Sequence, residues 1–373
     1  MFIANKVRLY PTPEQRSKIH QAAGSARYIY NMVLETNSCL YSISGESFNE
    51  FDANKYITKL KRHFLWLKDT HSQVLQASTK NAWTAYTNFF KGQAKFPKFK
   101  HKHNPTQSFQ YPQGVKLDHA KRRIYLPKIG WVKARGFRPW NGKIKTVTVS
   151  FDTAGYYHAS ILLDDGIDHV VTKRTGPVIG IDMGVAHFAT LSDGTTFELP
   201  PGLAKAQAKV VLRQKQHSNK QKASHNRRKS QKKLAKAHKR VQNIRKDFLH
   251  KLTKDLSENQ AVVVEDLAIQ KMQQRKASKA SLNRDIATQS WGLFFTLLEY
   301  KLVRNGNLFL KVPPEYTSQR CPVCSYTSKA NRRSQSHFCC RQCGHTDNAD
   351  RNAAINILTA GMAGVACQQT SLS

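Results

Sequence analysis

Four cysteines near the end of the chain have the spacing of a metal-binding ribbon. Cys321 and Cys324 form one Cys-x-x-Cys pair, Cys340 and Cys343 form a second, and fifteen residues separate the pairs. Two thiolates from each pair can complete a tetrahedron around Zn²⁺ and leave no position open. The spacing therefore predicts a structural zinc site rather than a catalytic one.

Other metal-ligating side chains lie close to these pairs and offer alternatives. Cys339 could pair with Cys343, but that spacing is wrong for a zinc knuckle, and His337 and His345 are weaker candidates than the cysteines. Four unconnected thiols remain the other interpretation of the segment.

Three carboxylates lie at positions where a single acidic side chain is either costly to bury or stabilised by nearby groups. Asp182 interrupts the apolar run VIGIDMGVA, Glu265 ends a run of valines, and Asp350 opens the helix that follows the cysteines. Each has an ordinary explanation: backbone N–H groups near Gly184 for Asp182, a solvated strand tip for Glu265, and the helix dipole for Asp350. Together they have the layout of an RNase H-like metal nuclease, in which carboxylates hold Mg²⁺ ions on a phosphodiester.

The elements that would carry these acids follow from hydrophobic periodicity. The stretch 176–199 predicts a buried strand and then a second strand, with a hairpin turn at Asp193-Gly194. Apolar runs predict further strands at 261–267 and 307–312. Helical patterns lie between and after them, at 203–250, 291–306 and 349–360. This order of strands and helices predicts an α/β domain.

The first half of the chain has a different pattern. A strand is predicted at 3–10, Thr12 and Pro13 are typical of a helix start, and the spacing of aromatic residues predicts helices from about 14 to 91. Short strand patterns separated by Gly, Pro and Asp then fill 107–164. We therefore expect a β-barrel-like domain with a helical insertion, and a multidomain α+β protein overall.

The charge of the chain indicates its partner. Sixty Lys and Arg stand against 24 Asp and Glu, which gives a net charge of +36. Such a charge repels itself unless a polyanion neutralises it, so nucleic acid is the expected partner and an anionic membrane surface the alternative. There is no long apolar run and no signal peptide at the start, so we expect a cytosolic protein in which paired cysteines bind metal rather than form disulfides.

Two basic segments are the candidate nucleic-acid contacts. The first contains Lys95, Lys98, Lys100 and Lys102. Phe96 and Phe99 lie between them and can serve equally as stacking platforms or as core anchors.

The second basic segment is the stretch 203–246, which holds sixteen Lys or Arg and no acid and is densest at Arg227, Arg228 and Lys229. A solvated basic helix would not explain the missing acids, whereas a helix that lines a nucleic-acid channel would.

The chain resembles the TnpB family of transposon-encoded proteins, the RNA-guided DNA endonucleases related to type V CRISPR effectors. The resemblance is carried, in order along the chain, by KVRLYPTPEQ, FPKFKHKHNPTQSFQYP, IGIDMGVAHFATLSDG, VVVEDLAI, SWGLFF followed by LEYK, YTSQRCPVC and CGHTDNADRNAAINIL. Two positions depart from the family pattern: Ser325 stands where Gly is usual, and Asn348-Ala349-Asp350 replaces Asp-Arg-Asp.

The resemblance implies a RuvC-like nuclease in which Asp182, Glu265 and Asp350 bind Mg²⁺ or Mn²⁺. It also implies a guide RNA from the transposon end, a double-stranded DNA target cut beside a short flanking motif, and a monomer within the ribonucleoprotein. The implied domains are a wedge-like barrel (1–13 and 92–172), a helical recognition insertion (14–91), the nuclease domain (173–315 and 346–360), the zinc ribbon (316–345) and a flexible tail (361–373).

Two other functions remain open from the sequence. One is a guide-free DNA nuclease of the same fold, and the other is a nuclease-inactive, RNA-guided DNA-binding regulator.

Overall fold

The computed structural model divides the chain into two compact units, residues 1–167 and 168–373. It describes residues 2–47, 49–138, 142–164, 166, 177–259, 261–267, 289–334 and 336–370, with backbone only from 364 onward. The predicted boundary between residues 172 and 173 lies outside the described residues.

Unit 1 begins with a strand and three helices, and local sequence explains where the first helix starts. The Thr12 hydroxyl accepts a hydrogen bond from the Gln15 backbone N–H, and the Gln15 side chain accepts one from the Thr12 N–H, which forms a capping box. Gly45, at φ 71°, ends that helix. The elements are β1 (Phe2–Tyr10), α1 (Pro13–Ser44), α2 (Glu50–His63), a 3-10 helix (Leu65–Asp69) and α3 (Ser72–Phe90).

Unit 1 continues as a seven-stranded sheet in which β1 is central. β1 pairs antiparallel with β5 and β7, and the full order is β2-β6-β7-β1-β5-β4-β3. The described pairings leave β2 and β3 as edges, so the sheet is open there and the predicted barrel-like form is not shown. The strands are β2 (Thr106–Tyr111), β3 (Lys116–Asp118), β4 (Arg123–Leu126), β5 (Gly130–Arg135), β6 (Lys143–Asp152) and β7 (Tyr157–Asp164).

Helix α1 covers one face of this sheet. Its buried residues Ile19, Ala22 and Ala26 join alternate strand residues such as Val7 and Leu9 in one apolar cluster. The alternation in β7, whose side chains are buried at every second position, is typical of a strand with one face against a core.

Unit 2 contains a five-stranded mixed sheet of order β10-β9-β8-β11-β12. The three strands β8, β11 and β12 are parallel, while β9 and β10 form the hairpin whose turn was predicted at Asp193-Gly194; Gly194 there has φ 94°. The strands are β8 (Val178–Asp182), β9 (Ala189–Leu191), β10 (Thr196–Phe197), β11 (Ala261–Glu265) and β12 (Leu308–Val312).

Helices cover both faces of this sheet, which explains the unbroken valine run of β11. Val262 and Val264 pack with residues of α5 and α6, whereas Val263 packs with Ile357 of α7 on the opposite face. The helices are α4 (Pro201–Ser218), α5 (His225–Leu256), α6 (Trp291–Arg304) and α7 (Ala349–Thr370).

A small ribbon joins β12 to α7. It contains a 3-10 turn (Lys329–Asn331) and a two-stranded hairpin of β13 (His337–Cys339) and β14 (Thr346–Asn348). Helix α7 runs on to Thr370, beyond the helix end predicted at residue 360, and the flexibility predicted for 361–373 stays a prediction. The added residues contain no proline and several good helix formers, and their propensity continues the helix.

No helix in the part of the chain that the structure describes is long and apolar enough to cross a bilayer.

Candidate active site and cysteine cluster

The three predicted acids come from three elements that meet at one edge of the unit 2 sheet. Asp182 is the last residue of β8 and Glu265 the last of β11, and these strands are parallel neighbours with Ile181 opposite Val264. Asp350 lies in the first turn of α7. Because parallel strands end at the same edge, the two strand acids lie side by side, and α7 brings in the third.

The acids influence one another electrostatically. Burial raises the pKa of Asp182 to about 7, and the negative charges of Glu265 and Asp350 add to the rise. The Arg332 guanidinium and a hydrogen bond from the Met183 N–H act in the opposite direction. The site therefore has an excess of negative charge that a divalent cation would neutralise.

Glu265 has its own set of neighbours. Burial raises its pKa, the charge of Glu315 adds to this, and a hydrogen bond from the Thr317 hydroxyl lowers it. Thr317 thus fixes one carboxylate oxygen of Glu265 while it stabilises the ionised form.

Two glycines allow α7 to approach both acid-bearing strands. A Cβ at Gly180 on β8 would overlap the Ala354 carbonyl oxygen of α7. A Cβ at Gly361 on α7 would overlap the Val263 side chain of β11. Because a side chain at either glycine would push α7 away from the sheet, the two glycines set the distance between the helix and the strands and so place Asp350 relative to Asp182 and Glu265.

The start of α7 is fixed by its cap and by the ribbon. The Asn348 side chain accepts hydrogen bonds from the N–H groups of Asp350 (2.9 Å) and Arg351 (3.2 Å). From the ribbon, an Arg332 nitrogen lies 3.5 Å from an Asp350 oxygen, and both side chains are largely buried. The Asn348-Ala349 departure from the family pattern therefore supplies a helix cap.

Two asparagines on α7 hold the loop that carries Thr317. Asn356 donates to the carbonyl oxygens of Thr317 (2.8 Å) and Arg320 (2.7 Å), and Asn352, one turn earlier, also donates to Arg320 (3.1 Å). Both asparagines are buried. Sequence reasoning missed Thr317, Arg332 and these asparagines, although two Asn spaced i, i+4 within an apolar helix was a signal.

The four predicted cysteines converge. Their sulfur atoms all lie within 4.8 Å of one another, with 3.6 Å between Cys321 and Cys343 and 3.5 Å between Cys324 and Cys340. Tetrahedral zinc with bonds of about 2.3 Å requires sulfurs about 3.8 Å apart, so the cluster fits Zn²⁺. Among the described residues these four cysteines are the group of three or more ligand atoms that converges in this way.

The two cysteine pairs form matching turns. The backbone N–H of Ser325 donates to the Cys321 carbonyl (3.0 Å), and that of Gly344 donates to the Cys340 carbonyl (3.1 Å). Both residues are left-handed, with φ 62° at Ser325 and 74° at Gly344. Serine thus takes the conformation that glycine favours, and the turn keeps its geometry.

The surroundings of the Cys340 thiol favour its deprotonated form. Burial would raise its pKa, but hydrogen bonds from the backbone N–H groups of Cys343 and Gln342 and from neighbouring thiols lower it to about 6. Metal binding requires this deprotonated form.

In the first basic segment the four predicted lysines are all exposed, and one of them also makes a contact within the protein. These lysines are Lys95, Lys98, Lys100 and Lys102. The Lys100 ammonium lies 3.8 Å from the centre of the Tyr30 ring, and burial lowers its pKa. Phe96 packs edge-on against neighbouring rings of unit 1 yet stays half exposed, so it serves partly as an anchor.

The second basic segment forms α4 and α5. The Arg227 guanidinium donates to the carbonyl oxygens of Lys220 (2.7 Å) and His217 (3.4 Å), and so closes the loop between the helices. Arg228 and Lys229 are exposed. Of the three predicted contacts, Arg227 therefore has a structural role, and the other two present free faces to solvent.

Comparison with known proteins assigns the chain to a family. A family model described as a probable transposase (OrfB) matches residues 164–276, one described as a Cas12f1-like TNB domain matches 291–357, and a helix-turn-helix model matches 1–45. In the structure, that last range is a strand followed by one long helix. The chain belongs to the TnpB (OrfB) family of transposon-encoded proteins.

Two curated relatives match nearly end to end. The putative RNA-guided DNA endonuclease InsQ of Escherichia coli (strain K12) is 40% identical over 98% of this chain and 93% of its own length. A putative RNA-guided DNA endonuclease of Streptomyces pristinaespiralis is 31% identical over 98% of this chain and 90% of its own length.

A solved structure shares the fold. The Cas12f1 chain in a cryo-EM complex with sgRNA and target DNA superposes with a TM-score of 0.54 at 13% identity, over 96% of this chain and 98% of that one. At this identity the likeness concerns the fold alone.

Proposed function

We propose that this protein is an RNA-guided DNA endonuclease that requires Mg²⁺ or Mn²⁺ and acts in the prokaryotic cytosol. The observation that carries the proposal is the meeting of Asp182, Glu265 and Asp350 at one sheet edge, with the pKa of Asp182 raised by burial and, to a smaller extent, by its acidic neighbours. Family membership and the names of both full-length relatives support it.

In this proposal the three carboxylates are the metal ligands of an RNase H-like, RuvC-like nuclease domain. Carboxylate oxygens are the ligands that Mg²⁺ prefers, and three of them from neighbouring elements can suffice because the ion keeps several waters. Two such ions, when bound, would activate a water and stabilise the leaving oxygen of a phosphodiester.

The remaining residues of the site prepare these ligands. Thr317 orients Glu265 through its hydroxyl, and Asn356 fixes the Thr317 backbone. Arg332 holds Asp350 in place from the ribbon. The ribbon itself, with zinc on Cys321, Cys324, Cys340 and Cys343, sets both the loop before it and the helix after it.

The charge of the protein supports nucleic-acid partners. The exposed cations of α4 and α5, including Arg228 and Lys229, together with Lys95, Lys98 and Lys102, can neutralise phosphates. Such contacts carry no sequence information, so a guide RNA that pairs with the target would supply the specificity, while the protein reads a short flanking motif. A single copy of the chain in each ribonucleoprotein completes the proposal.

The experiment that separates this function from a guide-free nuclease begins with the copurifying RNA. That RNA is sequenced, a plasmid carrying its complement beside a randomised flank is added with Mg²⁺, and cut products are mapped. Cleavage only at the complement, beside a restricted set of flanks, is the expected result. Cleavage that ignores the RNA sequence would favour the guide-free nuclease.

A further inference from the structure

Tyr316 combines an exposed ring with an unusual backbone. Its φ is 64°, in the left-handed region that side chains other than Gly, Asn and Asp rarely adopt. Its side chain is 62% exposed and lies between strand β12, whose last residue Val312 is buried, and the ribbon. Strained residues of this kind are concentrated at functional sites, so the position requires an explanation.

The residues on both sides of Tyr316 reach Glu265. Thr317 donates its hydroxyl hydrogen to the Glu265 carboxylate, and the charge of Glu315 acts on the same carboxyl group. The chain therefore crosses the rim of the acidic edge at Tyr316.

The backbone around Tyr316 is held firmly. Its carbonyl accepts hydrogen bonds from the N–H groups of Gln319 (2.9 Å) and Arg320 (3.0 Å), and the next carbonyl, of Thr317, accepts from Asn356. A ring on such a fixed turn loses little conformational freedom when a ligand covers it.

The ribbon that follows Tyr316 is basic. Glu315 directly precedes Tyr316, but from there to Asp347 the ribbon contains five Lys or Arg and no acid. One of these, Arg332, reaches Asp350. A polyanion that approaches the acidic edge from the ribbon would therefore meet cations and an exposed aromatic ring.

We propose that Tyr316 is a stacking platform for a nucleobase of the single DNA strand that adjoins the phosphodiester at the acidic edge. The inference rests on the proposed nuclease function and adds a binding site to it. Stacking on an aromatic ring tolerates any base, so the platform would hold the strand without reading its sequence. It requires the ring and does not require the hydroxyl.

A turn that merely needs a left-handed residue makes the opposite prediction. Glycine adopts that conformation without strain, so Tyr316→Gly would then fold as well or better and lose nothing. The variants Tyr316→Phe, Tyr316→Gly and Tyr316→Ala thus separate the ring from the turn. Tyr326, a ribbon aromatic that is 41% exposed, provides a matched control as Tyr326→Ala.

The first test measures single-turnover cleavage of substrates with an abasic site scanned along the strand next to the cut. We expect the Tyr316→Phe and Tyr326→Ala proteins to cleave at the wild-type rate. The Tyr316→Gly and Tyr316→Ala proteins should cleave about ten-fold more slowly, because each loses the stacking of one base. One abasic position should slow the wild type by the same factor and slow the Gly variant no further. The inference would be overturned if Tyr316→Gly cleaved as fast as the wild type. It would also be overturned if the abasic site slowed the Tyr316→Gly protein by as large a factor as it slows the wild type.

A second test does not depend on cleavage. 2-Aminopurine, whose fluorescence falls on stacking, is scanned along a single-stranded oligonucleotide bound to Asp182→Ala protein of verified zinc content. Quenching at one position, kept by Tyr316→Phe and lost in Tyr316→Gly, supports the platform even if the wild type proves not to cut. Equal quenching by the proteins with Tyr316 and with Tyr316→Gly would refute the stacking platform, whatever the outcome for cleavage.

Discussion

At the scale of single residues, the site is dominated by negative charge that has few local partners. Asp182 lies beside two other acids, and Arg332, a cation that acts on Asp182 and lies 3.5 Å from Asp350, comes from outside the sheet. In the metal-free protein this arrangement costs stability whenever Asp182 is ionised, and that cost depends on pH.

The first prediction follows from the sign of this shift. The pKa of Asp182 is about 7 in the folded protein against an ordinary value of 3.8, so between these values the folded state binds more protons than the unfolded state. Its stability therefore falls as pH rises from about 4 to about 7. In thermal unfolding without added Mg²⁺, Asp182→Asn should gain on the wild type as pH rises through this window. A constant difference between the two melting temperatures would contradict the prediction.

The second prediction concerns the two matched turns of the cysteine cluster. Ser325→Gly relieves a left-handed serine and should stabilise the ribbon by about 1 kcal/mol. Gly344→Ser places the same strain in the other turn and should cost a similar amount, since a Cβ there meets nothing within 4 Å. The rate of zinc release to a chelator measures both. Slower release from the Gly variant and faster release from the Ser variant are expected, and a change in the same direction for both would refute the idea.

At the scale of elements, the acidic edge depends on how closely α7 packs against the sheet. Gly180 and Gly361 make that approach possible, and the asparagines of α7 tie the loop before the ribbon to the same helix. Helix α7 therefore fixes the relative positions of the ends of β8 and β11, its own first turn and the loop that carries Thr317.

The third prediction tests this packing. Gly180→Ala must displace α7, because its Cβ would overlap backbone rather than a movable side chain. We expect a loss of stability of about 1–3 kcal/mol together with a large loss of cleavage. Gly202→Ala, at the start of α4 where a Cβ meets nothing within 4 Å, is the control and should be neutral. Melting temperature and cleavage rate are compared, and an active, fully stable Gly180→Ala protein would show that the close approach is dispensable.

Much of this element order could be predicted because it depends on local patterns. The Thr12 cap, the Asp193-Gly194 turn and the valine strand of β11 all follow from short-range signals, and the structure confirms each. The four cysteines could be grouped because their spacing alone carries the information.

The remainder depends on contacts between residues far apart in sequence. The hydrogen bond of Thr317 to Glu265 spans 52 residues, and no periodicity predicts it. The same holds for sheet closure, since strand patterns predict strands but not whether β2 meets β3. Helix α7 continues past its predicted end. Gly361 is a residue typical of helix ends, but here it lies inside the helix and packs closely on Val263.

At the scale of the whole molecule, the net charge of +36 requires a polyanionic partner, and the α4–α5 hairpin carries much of the excess. Its apolar contacts to the rest of unit 2 are concentrated at the start of α4 and the end of α5, at residues such as Leu203, Leu249 and Leu252. The remaining length of the two helices is therefore available for phosphates.

The fourth prediction uses salt dependence to test this surface. If Arg228 and Lys229 contact duplex phosphates, replacing both by Gln should reduce the slope of log affinity against log salt by about 2. Arg227→Gln, which instead opens the α4–α5 loop, should lower the melting temperature with little change in slope. Affinities at several salt concentrations decide the matter, and an unchanged slope in the double variant would exclude the two residues from the interface.

The central claim is that three acids at one sheet edge cut DNA chosen by a bound RNA. The most direct measurement compares Mg²⁺-dependent cleavage and RNA-directed binding of a guide-matched plasmid by wild type, Asp182→Ala and Asp266→Asn. Asp266 is an exposed acid beside Glu265 that pairs with Lys311 at 3.8 Å, so its variant controls for lost charge. We expect the Asp182→Ala protein to bind the matched plasmid without cutting it, and the Asp266→Asn protein to bind and cut it. Cleavage by Asp182→Ala at the wild-type rate would show that Asp182 is not needed for cleavage.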